Sequence, residues 1–256
     1  MAKVFLGVGH GGSDPGAVKY LKEADLNLRM AIYCRDYLQR HGVEVRMSRT
    51  KDENDQLSEE IRECNAFNPD LAVDIHNNAG GGEGFEAYHY HKGGKSKTLA
   101  KNIESEIEKI GQKSRGLKTR INSSGNDYYG FIRCIKAPSI IVEGVFVDNK
   151  KDAAKADENH EHKAFGEAYA KGILKTLGIN EKKEKPVVPQ NTSYLVKINT
   201  DELNVRSGPG TIYKVNTKVH RNEVYTIVSE HYNGKTIWGR LKSGAGYISL
   251  KYTKKC

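Results

Sequence analysis

Residues 3–17 read KVFLGVGHGGSDPGA, and residues 71–84 repeat their plan as LAVDIHNNAGGGEG. In each, a compact apolar run reads as a short buried strand, a histidine follows, and glycines break the chain into a loop. Open α/β sheets hold their ligands at the carboxyl ends of central strands, so His10 and His76 become candidate site residues. A glycine loop after a first strand also suggests phosphate binding. Neither G-x-G-x-x-G nor G-x-x-x-x-G-K-[ST] is present, and nucleotide binding loses its support.

Outward from these two stretches the chain alternates strand and helix. Glu23 to Arg40 carries Leu26, Met30, Tyr33, Tyr37 and Leu38 near helical spacing and stops at Gly42; Val43 to Ser48 alternates as a strand. Leu57 to Phe67 predicts a helix that ends before Pro69. Phe85 to Tyr90 predicts a strand at the sheet edge, Ser96 to Ile110 a helix, and Ser114 to Asp127 a polar surface loop. Ala137 to Val147, APSIIVEGVFV, is the most hydrophobic run and predicts a buried strand, although Glu143 sits in its middle. Glu161 to Leu177 closes this part as a helix.

Residues 180–193, NEKKEKPVVPQNTS, lack periodicity and read as a semi-rigid linker. Beyond it, Tyr194 to Ile198, Val224 to Glu230, Thr236 to Leu241 and Gly246 to Leu250 alternate between turn residues, as in a small all-β barrel or sandwich. The expected organisation is a mixed, mostly parallel α/β sheet flanked by helices over 1–178, a linker over 179–193, and a small all-β domain over 194–256.

Charge divides the same way. The 256 residues carry a formal net charge of +9, of which residues 1–180 supply +1 and residues 181–256 supply +8. A basic module on a near-neutral one predicts an anionic polymer as partner. Nucleic acid would satisfy the charge, and the tail tyrosines could stack bases. Arg206, Gly208, Pro209 and Gly210 form a turn signature rather than a nucleic-acid motif, however, and acidic lipid and a phosphate-rich wall polymer stand beside nucleic acid as candidate partners. No apolar run reaches the roughly 18–20 residues of a membrane helix, and no secretory leader opens the sequence, so synthesis as a soluble cytoplasmic product is expected. Cys34, Cys64, Cys134 and Cys256 are too scattered for a zinc ribbon or a disulfide framework.

Four residues of the first part carry chemistry: His10, Glu23, His76 and Glu143. Two strand-end histidines and a helix-start carboxylate can supply the His₂Glu set of a catalytic zinc site that leaves a position for water. Such an ion lowers the pKa of water and polarises a carbonyl, which amide hydrolysis requires. Glu143, costly inside a β-branched run, fits a general base that later protonates the leaving nitrogen. Each has a plainer reading: His10 a structural loop residue, His76 a hydrogen-bonded one, Glu23 a favourable charge at a helix N-terminus, and Glu143 the partner of an arginine. His89 and His91 alternate along one strand and read as a polar edge; His160 and His162 open a helix and read as solvated.

At these same residues the sequence resembles a family. GHGGSDPGA from Gly9, KEADLNL from Lys22, DIHNNA from Asp74 and IIVEGVFVDN from Ile140 resemble, in order and spacing over about residues 1–178, the signatures of the zinc-dependent N-acetylmuramoyl-L-alanine amidases, the type-3 cell-wall amidases. The resemblance implies that His10, Glu23 and His76 bind one zinc ion and that Glu143 is the catalytic acid/base. It also implies peptidoglycan as substrate, cut at the amide between the lactyl group of N-acetylmuramic acid and L-alanine. LNVRSGPGTIYKV from Leu203, with Trp238 and SGAGYISL from Ser243, resembles a bacterial SH3-like wall-binding domain, with Tyr247 where tryptophan is usual. Together the two parts resemble a phage endolysin, made in the host cytoplasm and released through a holin. The alternatives carried forward are a host autolysin of the same activity, a zinc peptidase cutting within the stem peptide, and a non-enzymatic wall-binding protein.

Overall fold

The computed structural model describes residues 1–181, 193–232 and 236–256. The chain divides into two compact units between Glu181 and Lys182. Most of the expected linker, residues 182–192, lies outside the described residues.

The first unit runs β1 (Lys3–Val8), α1 (Glu23–Arg40), β2 (Glu44–Met47), α2 (Leu57–Phe67), β3 (Leu71–Asn78), β4 (Phe85–His89), α3 (Lys95–Lys109), β5 (Ser114–Lys118), α4 (Gly130–Cys134), β6 (Ser139–Phe146), α5 (Lys150–Ala153) and α6 (Asn159–Leu177). The strands form one sheet in the order β2-β1-β3-β6-β4-β5. All neighbours are parallel except β4, which runs antiparallel to β6. The mixed, mostly parallel architecture is therefore present.

Period-two alternation divides the sheet into a thick and a thin side. Val4, Leu6, Val73, Ile75, Phe85, Ala87, Ile140 and Val142 pack with α1, α3 and α6 into the larger core. Each of these side chains larger than Ala87 stabilises the fold by about 1.5–3 kcal/mol when fully buried. The intervening residues Phe5, Ala72 and Ile141 face the short α2 and α4 in a smaller cluster. His76 and Glu143, further along the same alternation, stand on this lightly covered side.

Three local expectations are corrected. Phe85 to Tyr90 is not an edge strand: β4 lies inside the sheet because Ser114 to Lys118, expected as loop, pairs with it as β5. His89 and His91 do not share a strand face. His89 ends β4, buried, with its Nδ1 2.8 Å from the Tyr90 carbonyl, whereas His91 lies beyond the strand and pairs with Asp127 at 2.8 Å. His162 is not solvated: it is buried, its Nε2 2.8 Å from the Ala156 carbonyl where α6 turns away from the preceding loop. Cys34, Cys64, Cys134 and Cys256 are all free thiols.

The second unit comprises β7 (Tyr194–Ile198), β8 (Glu202–Arg206), β9 (Val215–His220), β10 (Val224–Tyr232), β11 (Ile237–Leu241), β12 (Tyr247–Ser249) and β13 (Thr253–Lys255), with a 3₁₀ turn at Leu250–Tyr252. Every pairing is antiparallel, in the order β13-β7-β10-β11-β12-β8-β9. Val196, Ile198, Val205, Ile227, Leu241 and Ile248 form its own core. No described helix is long and apolar enough to cross a membrane.

Candidate active site

His10 leaves β1 with φ +62°, a left-handed conformation that swings its side chain off the strand line. The loop is then fastened from beneath. Gly9 N–H donates to the Ile75 carbonyl at 3.1 Å, joining the two His-bearing strands where they end. Arg49, 2% exposed, donates to the carbonyls of Val8, Gly9, Lys51 and Ala24 and so ties that loop to the start of α1. Asn27 donates to the Gly9 carbonyl and accepts from Asn77, whose own carbonyl oxygen takes the Val145 N–H. This chain of amides locks α1, β3 and β6 in one register below the site.

Above it, His10, Glu23 and His76 each place one ligating atom within 4.8 Å of the others. Glu23 Oε1 lies 3.2 Å from His10 Nε2 and 3.0 Å from His76 Nδ1, and Oε2 accepts the Ala17 N–H at 3.0 Å. The outer nitrogens are held as well: His10 Nδ1 by Asp14 at 2.8 Å, and His76 Nε2 facing Asp74 at 3.4 Å. Carboxylates behind ligating histidines fix ring orientation and raise basicity. Burial opposes ionisation of Glu23, yet hydrogen bonds from both histidines outweigh it and hold the carboxyl well below its usual range. The Glu23 hydrogen bond, then Asp14, raises His10 against its own burial. Burial works against the charge on His76, but Asp74, Glu23 and Glu143 raise its pKa well above the ordinary value. Two nitrogens and an ionised carboxylate brought this close are a donor set for a divalent ion.

Glu143 is the Cα partner of His76 across β3 and β6, so both side chains leave the same face. Burial pushes its carboxyl up to about 7, and its Oε2 is buried without a hydrogen-bond partner. The arginine partnership left open by the sequence therefore finds no support. A carboxyl that exchanges its proton near neutrality is suited to general acid–base work.

Space is preserved by glycine at two points. A Cβ on Gly9 would fall within the imidazole of His76, and one on Gly16, at φ +63°, would crowd both Glu23 and His10. The structure brings together the four residues singled out from the sequence and surrounds them with five that were not: Asp14, Asp74, Asn77, Arg49 and Glu86. Asp74 carried a readable signal, since it interrupts an apolar strand just as Glu143 does. Arg49 carried none.

The fold and the site define the class: an α/β enzyme with a two-histidine, one-carboxylate donor set and an adjacent glutamate titrating near neutrality. A family model described as N-acetylmuramoyl-L-alanine amidase matches residues 4–175, the greater part of the chain. The chain belongs to this family. It is 32% identical over 276 aligned positions to an endolysin of Bacillus phage SPP1, covering 97% of this chain and 98% of that one. It is 31% identical to the N-acetylmuramoyl-L-alanine amidase CwlM of Bacillus licheniformis, covering 79% of each. Among solved structures, Cwp6 from Clostridium difficile superposes with a TM-score of 0.67 at 38% identity, over 69% of this chain and 29% of that longer one. The catalytic domain of the amidase CwlV from Paenibacillus polymyxa, at 24% identity and a TM-score of 0.64, shares the fold over 70% of this chain and 100% of its own length. The protein is thus an N-acetylmuramoyl-L-alanine amidase, and peptidoglycan is the substrate of its family.

Proposed function

We propose that this amidase is zinc-dependent, with His10, Glu23 and His76 as ligands and Glu143 as acid/base, and that it cuts the lactyl–L-alanine amide to detach stem peptides from the glycan. The observation that carries this reading is the convergence of the three donor atoms within 4.8 Å beside the raised carboxyl of Glu143. A bound zinc ion supplies Lewis acidity, lowering the pKa of water and polarising the amide carbonyl. Asp14 and Asp74 orient the two imidazoles, and Gly9 and Gly16 keep the centre open. Glu143 accepts a proton from the attacking water and returns it to the departing nitrogen of L-alanine.

The second unit is read as an SH3-like anchor whose net charge of +8 over residues 181–256 holds the enzyme on an anionic wall polymer. Its all-antiparallel sheet and separate core support that reading. Near end-to-end likeness to a phage endolysin supports a lytic role, with synthesis in the host cytoplasm and release to the wall through a holin. The likeness to bacterial CwlM supports a second reading, a host autolysin with the same chemistry.

Metal content measured beside the masses of fragments released from purified peptidoglycan tests the catalytic proposal. One zinc per chain, chelator-sensitive clearing restored by zinc, and new N-termini at L-alanine are expected. Release of N-termini elsewhere in the stem peptide, or clearing indifferent to chelation, overturns it.

A further inference from the structure

Glu86 opens a second functional group beside the active site. It is the Cα partner of Glu143 on the other flank of β6, so it points to the same face as His76 and Glu143. Although Glu86 is 3% exposed, its Oε1 lies 2.5 Å from both Arg115 Nε and Lys118 Nζ. Its Oε2 accepts from Asn78, two residues beyond His76. The network therefore crosses the sheet from β3 to β5, over the strand that bears Glu143.

The two cations are aligned by an irregularity. Residues three apart in a regular strand face opposite sides. Between the pairs Phe85↔Ser114 and Ala87↔Leu117 the ladder shifts by one residue, with Gly116 at φ +92° in the bulge. The extra residue corrects the parity and sends Arg115 and Lys118 to the same carboxylate. Arg115 also lies over the Phe146 ring, 5.1 Å from its centroid, at the end of β6. The side chains of Arg115 and Lys118 remain 39% and 34% exposed. One buried carboxylate against two half-open cations leaves a net positive charge facing solvent.

We infer that Arg115 and Lys118, pinned by Glu86, form a subsite for the carboxylate of the stem-peptide residue that follows L-alanine. The inference rests on the proposed amidase site. Because the cationic ends of Arg115 and Lys118 meet at Glu86, on the strand next to β6, they lie between one and two strand spacings from β6, about 5–10 Å. An extended peptide advances about 3.3–3.6 Å per residue, so a carboxylate on the second residue reaches from an amide held at Glu143 to this pair. Binding there neutralises the surplus charge, aligns the stem peptide across the thin side of the sheet, and favours stems whose second residue is acidic over amidated ones.

The test compares N-acetylmuramoyl-L-alanyl-D-glutamate with its diamide, using the zinc-loaded full chain. Arg115→Gln and Lys118→Gln are made singly, so that Glu86 keeps one cation in each. For exposed pairs of this kind each variant raises KM for the diacid by about three- to fivefold, with kcat unchanged and the diamide unaffected. The unaltered protein binds the diacid more tightly than the diamide, and added salt narrows the difference. Equal KM for the two compounds in the unaltered protein, or equal loss on both in the variants, overturns the subsite while leaving the amidase reading intact. Cleavage of neither compound by the unaltered protein overturns the amidase site on which the subsite rests.

Discussion

His76 and Glu143 occupy paired positions on adjacent parallel strands, yet the structure treats them oppositely. The imidazole is held on both nitrogens, by Glu23 and by Asp74, while the Glu143 carboxyl keeps a buried oxygen without a partner. One side chain is fixed and the other is left able to exchange a proton. That contrast supports the proposed division between ligand and acid/base and frames the expected behaviour of variants.

Glu143→Ala abolishes turnover, by about 10²–10⁴-fold or more, while zinc content stays near one per chain. His76→Ala loses both. Metal analysis of the two purified variants checks the distinction, and loss of zinc from Glu143→Ala places that carboxylate among the ligands instead.

The raised carboxyl of Glu143 makes stability depend on pH in a definite direction. Its pKa is about 7 in the folded chain against 4.5 for the free side chain, so its contribution is fully present below about pH 4.5 and is lost as pH rises through 7. At ~1.4 kcal/mol per unit, Glu143→Gln gains about 2–3 kcal/mol on the unaltered protein between pH 4.5 and 8. Denaturant unfolding of the chelated proteins at both pH values reads this out, and a pH-independent difference contradicts it.

Gly9→Ala places a methyl group where the His76 ring stands. Overpacking of this kind costs about 1–3 kcal/mol and moves the ring. The expected result is a lower Tm together with weaker zinc retention on dialysis. A variant that loses stability yet holds zinc as tightly as the original shows that the ring has room to shift without disturbing the donor set.

A chain ending after Glu181 folds, because each unit has its own core, and it still hydrolyses small muramoyl peptides. It binds whole walls less well than the full chain, whose binding weakens with salt. Sedimentation with purified walls at two ionic strengths measures both effects; equal binding removes the second unit from targeting.

The central residues were legible because they break local rules. His10 and His76 follow apolar runs into glycine loops, and Glu143 interrupts a β-branched strand. What escaped was set by pairing across the sheet. Ser114 to Lys118, with two cations and a glycine, has little intrinsic strand character; it becomes a strand because β4 offers a ladder and Glu86 a buried countercharge. By joining, it converts the expected edge into an interior strand. His162 was misread for a different reason: helical spacing does put it on the buried face with Phe165, Gly166 and Tyr169, and only the Ala156 carbonyl that satisfies its Nε2 lay beyond the sequence. Arg49 likewise acquires its purpose only when four carbonyls from separated segments converge on it.

The two reversed strands, β4 and β5, also decide which connection stands beside Glu143. Because β4 runs against β6, the beginning of β4 rather than its end stands level with Glu143. The connection entering it, residues 79–84, therefore lies at the Glu143 end of the sheet, moored to the body of the enzyme through Asp148 and Asp152. Nothing lies near the position a side chain would take on Gly80 or Gly81, but their φ values of +115° and +75° are ones that L residues rarely adopt, so a side chain at either strains this link. Glycine is thus required here by backbone conformation, whereas at Gly9 it is required by the ring of His76 that fills the space.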